Sequence, residues 1–142
     1  MAPEERSAVM RLVIVYLASA LVFLLLDAVV LTTVLRPLFE GHLGDWLVPG
    51  FRLGPAAAFY PFYLGVVTWL VGRPALREGR SDGWVLANGA LLGAFAYGTY
   101  EFTNYATLAR WHWQMVAVDL PWGMVLTALT ALAGVRAARW LT

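Results

Sequence analysis

YGTYEFTNYATLARW, residues 97–111, is the stretch on which the reading of this chain turns. It continues an apolar run that begins at Trp84, and it puts Glu101 inside a segment otherwise patterned to cross a bilayer. An ionised side chain at mid-membrane costs about 2.5–3.5 kcal/mol on insertion scales. An acid in that position therefore needs a partner or a role.

The rest of the chain supports a lipid environment. Its 142 residues are 61% hydrophobic and only 13% charged, which suits one domain and is too apolar for an ordinary soluble one. The net charge of +1 is spread over scattered arginines with no groove-reading motif, so nucleic acid is excluded as a partner. Without cysteine there is no disulfide, thiolate nucleophile or cysteine metal site. All ten basic residues are arginine, which removes Schiff-base chemistry as well.

Four hydrophobic stretches are long enough to span a bilayer core, which needs about 20 helical residues. They cover about 12–35, 55–72, 84–108 and 116–139, joined as a single membrane domain with an interfacial loop at 36–54. Arg36-Pro37 is expected to end the first span, because proline disfavours helical geometry in the residue before it. Pro61 is expected to kink the second. Gly89 and Gly93 form a G-x-x-x-G pair that lets two helix backbones approach closely. The start of the last span is open. If it begins at Leu120, Asp119 is its N-cap; if it begins at Gln114, Asp119 is an acid inside the membrane.

Seven arginines fall in the N-terminus, the second loop and the C-terminus, against three (Arg36, Arg52, Arg110) in the other two loops. The positive-inside rule then predicts an all-α, multi-pass, up-down bundle of four transmembrane helices with both termini cytoplasmic. Trp46, Trp111, Trp113 and Trp122 are expected in the outer aromatic belt, and Trp84 and Trp140 in the inner one.

In this topology Asp27, Glu101 and Asp119 lie within roughly one helical turn of one another in depth, in the outer half of the membrane. Each has neighbours at helical spacing that, Phe23 apart, are small or hydroxyl-bearing: Ala20 and Phe23, Gly93 and Tyr97, and Gly123, Thr127 and Thr130. All three are expected to face the bundle interior. Unless an outer-loop arginine reaches in, a proton or bound cation is their natural neutraliser. Tyr97, Tyr100 and Asn104 complete the candidate ligand-binding set. Asn88, deeper in the membrane, is expected to bond to a neighbouring helix. His42 and His112 lie in outer loops at no fixed distance, and no metal site is expected.

Three motifs carry a family resemblance: Leu26-Asp27, the stretch from Tyr97 to Trp111, and Asp119-Leu120-Pro121-Trp122-Gly123. The chain resembles a family of short predicted bacterial inner-membrane proteins catalogued as a domain of unknown function. It departs from that pattern in two places: Val30 stands where the family has a tryptophan, and Glu101 replaces an aspartate. The resemblance implies a four-helix membrane protein marked by the three acids and Asn104, and no activity or cofactor.

Three functions are compatible with these residues. The first is a binding or transport site in which the acids hold a proton, a cation or a lipophilic amine-bearing small molecule, transport requiring a homo-oligomer because four helices enclose little volume. The second is an enzyme acting on a lipid or isoprenoid with paired carboxyls as acid and base. The third is an accessory subunit whose acids only set helix register.

Overall fold

The computed structural model describes residues 2–142, and all regular structure among them is helical. Helix α1 (Pro3–Val30) passes through a π turn (Leu31–Leu35) into α2 (Arg36–Leu43) and a 3-10 turn (Gly44–Trp46). Helix α3 (Leu53–Val67) passes through a second π turn (Thr68–Gly72) into α4 (Arg73–Arg77). Helices α5 (Asp82–Thr107) and α6 (Trp113–Leu141) complete the chain.

Arg36-Pro37 therefore does not end the first helix, contrary to the sequence-based expectation. The physical reason recurs at a second site. Each π turn is followed at once by Arg-Pro, at 36–37 and at 73–74. A proline inside a helix clashes with the carbonyl four residues back and offers it no N–H. Here the preceding turn is widened: the N–H of Arg36 donates to Leu31 O and that of Arg73 to Thr68 O, both five residues back. The wider ring carries the helix past each proline. Most of the expected interfacial loop is thus a helical extension, leaving only residues 47–52 irregular. Pro61 likewise lies inside α3 without ending it.

Three helical stretches are long and apolar enough to cross a membrane: Pro3–Trp46, Leu53–Arg77 and Trp113–Leu141. The first, at 44 residues, is longer than a bilayer core requires, so one end must project beyond it. Helix α5 has the length, at 26 residues, but its second half is too polar for it to qualify on composition. Burial is arranged as lipid demands. Ser19, Glu101, Thr127 and Thr130 are fully buried, while Leu17, Leu21 and Leu25 on α1 are each 61% exposed. Polar groups find partners only inside the bundle, and apolar ones lose nothing against acyl chains.

Helix α6 is the central column, packed against α5 on one side and α1 on the other. Small residues set both contacts. A Cβ at Gly89 would lie 2.8 Å from Ala128 Cα, and one at Gly93 the same distance from Met124 Cα. The G-x-x-x-G pair is therefore where α5 meets the α6 backbone. On the other side a Cβ at Gly134 would lie 2.7 Å from Val15 O, and Ser19 Oγ donates to Thr130 O at 3.1 Å. Helix α3 rests mainly on α1, whereas the π turn below it touches α1, α5 and α6. Helix α3 is thus gripped at its lower end.

That lower end is also tied by charge. Arg136 Nη2 and Arg139 Nη1 donate to the two oxygens of Asp82 at 2.6 and 2.8 Å, joining the end of α6 to the start of α5. Arg139 also donates to the carbonyls of Ala75 and Arg80.

Two predictions follow from this packing. Gly93→Ala meets backbone with no flexible side chain to yield, so it is expected to lower unfolding free energy in bicelles by about 1–3 kcal/mol. Gly41→Ala, which meets open space, serves as the neutral control. The hydrogen bond from Arg136 and the two nearby guanidinium charges hold the Asp82 carboxyl below its usual range. Its contribution to stability is then complete above the ordinary carboxylate pKa of about 4 and is lost as pH falls through the depressed value. Thermal melts in detergent micelles should show this loss in the native chain. Asp82→Asn should melt lower at neutral pH and lack that acid-dependent step.

Candidate functional site

Helix α6 begins at Trp113, with His112 as its N-cap accepting the Gln114 N–H on Nδ1 at 3.2 Å. Asp119 is consequently no cap. It lies six residues into the helix, 5% exposed, and faces α1 and α5. The carboxyls of Glu101 on α5 and Asp27 on α1 are its acidic neighbours. The three acids come together with Asp119 in the middle.

Two tryptophans hold the outer members of this group. Trp111 Nε1 donates to Glu101 Oε2 at 2.8 Å, and Trp122 Nε1 donates to Asp27 Oδ1 at 3.3 Å. Neither indole belongs to the expected aromatic belt, because both turn inward; Trp111 is only 7% exposed. The local cause is chain geometry. Trp111 sits in the short turn between α5 and α6, where it folds back over the last turns of α5. Trp122 follows Asp119 by three residues and so shares its helix face. Trp46, Trp113 and Trp140 do stay largely exposed. Glu101 Oε1 is buried without a hydrogen-bond partner. Two carboxylates have no proton to share, so the contact with Asp119 becomes a hydrogen bond only when one of them holds a proton.

Asp27 and Asp119 form part of the floor of a cavity of about 250 Å³. Tyr60 and Tyr97 stand beside them. The prolonged first helix supplies a wall through Leu31, Leu35 and Phe39, and residues 47–51 cover the top. The roof is pinned by Arg110, which donates to Asp45 at 2.5 Å and to Leu43 O at 3.2 Å and lies over the Trp46 ring. Arg36 lines the cavity, but its Nε is bonded to Glu40 at 2.7 Å and its guanidinium lies over Phe51. No arginine forms an ion pair with any of the three acids among the described residues.

Tyr60 and Tyr97 also line a second, apolar crevice of about 420 Å³, with Phe23 and Tyr63 deeper and Phe59 and Tyr100 outside. It lies where the upper part of α3 stands away from α5. Tyr97 is held between the two spaces by close packing, its ring filling the place a Cβ would occupy on Gly123. Tyr63 is oriented by Thr127, whose hydroxyl donates to Gly123 O at 2.7 Å and so accepts from the tyrosine.

Of the residues singled out from sequence, Asp27, Asp119 and Tyr97 line the first cavity, and Tyr100 lines only the crevice. Glu101 sits behind Asp119, lining neither space, and Asn104 reaches neither. Asn88 donates to Trp84 O of its own helix at 2.9 Å, so it does not bridge helices as expected. His42 and His112 stack at 4.2 Å, and His42 Nε2 pairs with Gln114 at 3.0 Å. Sequence reasoning missed Trp111, Trp122 and Tyr60. For the two tryptophans a signal existed, since both stand in the motifs that contain Glu101 and Asp119.

Trp111→Phe keeps the ring and removes the donor to Glu101. It is expected to destabilise the fold by about 1–3 kcal/mol, the cost of a buried carboxyl left unsatisfied. In the Glu101→Gln background the same change should cost less, a difference measurable as a double-mutant cycle on unfolding in detergent.

No curated protein and no solved structure matches the chain. A family profile does match, over residues 12–136, which takes in the greater part of every long helix and every acid of the site. The chain belongs to the family described as predicted membrane protein (DUF2177).

Proposed function

We propose that this protein binds an amphiphile with a protonated amine head, the ammonium resting between Asp27 and Asp119 and the tail lying in the crevice between α3 and α5. The observation that carries this reading is the junction of the two spaces at Tyr60 and Tyr97. One space holds two carboxyls that form no ion pair, its one lining arginine, Arg36, being bonded to Glu40; the other is aromatic, apolar and turned toward the lipid. A cation brought in by its own hydrocarbon tail satisfies both, because the charge pair forms where water is scarce and the tail never leaves an apolar medium. Glu101 then acts as a reserve site for the proton that Asp119 releases when the cation binds.

The reading places the chain in a bacterial inner membrane with four spans, up and down, and both termini in the cytoplasm. Helix α5 is then a span as well, beside the three stretches apolar enough to qualify on composition. Its length of about 39 Å suffices, and its polar second half is tolerated because Glu101 faces α6 and not lipid. The arginine distribution favours the same orientation, which puts the acid cavity near the outer surface.

A second reading, catalysis on a lipid or isoprenoid, draws on the Asp119–Glu101 contact. A carboxyl exposed to the cavity and backed by a second one is suited to passing a proton to and from a bound molecule. Lipid profiles of a deletion strain identical to wild type would count against it.

Calorimetric titration of the detergent-purified chain with dodecylamine, dodecanol and methylamine tests the first reading. Dodecylamine is expected to bind best, and Asp27→Asn with Asp119→Asn to weaken it about tenfold or more while leaving dodecanol unchanged. Equal binding of the amine and the alcohol, insensitive to both substitutions, would remove the proposal.

A further inference from the structure

At the end of the bundle opposite the acids, about 24 Å along α1 from Asp27, α1 and α4 enclose a separate cavity of about 260 Å³. Arg11, Arg73 and Arg77 line it, with Ala8, Leu12 and Leu76 as apolar walls. Nothing in the amine-binding reading uses this site, and it stands or falls independently.

The charge in this cavity is uncompensated. Among the described residues none of the three arginines forms an ion pair; of the acids closest in sequence, Glu4 forms no ion pair either, Glu5 accepts from the Ala2 N–H and Glu78 is taken by Arg80. Arg11 Nε is buried with no hydrogen-bond partner. Arg73 is steadied by the Trp69 ring, 4.2 Å from its guanidinium carbon. Burying a guanidinium N–H without an acceptor is costly, and three converging cations repel one another. An anion with several acceptor oxygens removes both penalties at once. Guanidinium groups match the oxygens of a phosphate in paired hydrogen bonds.

We propose that this cavity binds the phosphate of an anionic phospholipid. The setting selects a lipid over a free anion: the cavity lies at the end of two membrane-crossing stretches, its walls are apolar, and Trp69 beside it is 57% exposed. The glycerol and first methylenes lie against Leu12 and Leu76 while the phosphate meets Arg11, Arg73 and Arg77. Clustered basic residues between helices at a membrane surface recognise lipid head groups in this way. A zwitterionic lipid brings its own ammonium toward three guanidinium groups and is disfavoured.

Native mass spectrometry of the full chain released from detergent, with phosphatidylglycerol or phosphatidylcholine added, tests the site. The native chain is expected to retain phosphatidylglycerol over phosphatidylcholine. Arg73→Gln with Arg77→Gln should reduce that retention about fivefold for each charge removed, with Arg52→Gln at the other end of the molecule as an unchanged control. If the double variant does not elute as a folded species, Arg77→Gln alone, at an exposed position, gives the same comparison with a smaller change. Excess inorganic phosphate should not displace the lipid. Equal retention of the two lipids by the native chain, or retention of phosphatidylglycerol unaltered in the folded variants, overturns the proposal. Displacement by inorganic phosphate overturns the lipid as occupant and leaves a site for a soluble anion.

Discussion

A carboxyl group set among hydrocarbon must turn inward and find a donor, and the upper half of this molecule is arranged around that requirement. Asp27, Glu101 and Asp119 sit on three different helices, and two indole N–H groups, from Trp122 and Trp111, meet the outer pair. Each bond crosses between elements. Trp122 ties α6 to α1, and Trp111 ties the turn before α6 back to α5. The acids thus act as fastenings for the bundle as well as a polar lining.

Bringing three acids to one level needs close helix packing elsewhere, which is the work of small residues along α6. Gly123, Ala128 and Gly134 let α5 and α1 approach until backbone and side-chain atoms of the neighbours fill the spaces where larger residues would stand. Tyr97 is positioned by the same device, its ring lying on Gly123. A polar pocket and a tight helix interface are therefore two results of one face of α6, on which Asp119, Gly123, Thr127 and Thr130 recur at helical spacing. Helix α3 contributes least to this packing. Held at its lower π turn and standing away above, it leaves the crevice whose lining shares Tyr60 and Tyr97 with the acid cavity.

The two Arg-Pro steps show how backbone chemistry shapes the ends of the molecule. By passing through a π turn at each proline, the chain prolongs the first and second helices beyond where a simple proline rule stops them. The first prolongation walls the acid cavity with Leu35 and Phe39. The second carries Arg73 and Arg77 to the N-terminal part of α1. Each of these two cavities thus owes part of its lining to residues next to a proline that sequence rules mark as a boundary.

The sequence alone was enough for family membership, the helical class and three of the four expected apolar stretches, because hydrophobic composition and helical spacing are local properties that survive without coordinates. The inward direction of the acids was legible for the same reason: Asp119, Gly123 and Thr127 share a helix face in any α-helix, and lipid excludes the alternative. Only the tertiary structure decided that α6 starts at Trp113 and buries Asp119, that Trp111 and Trp122 leave the interface to bond carboxyls, and that Glu101 stands behind the cavity and Asn104 outside it. Those outcomes depend on which helices touch and at what height, which residue spacing along one chain cannot supply.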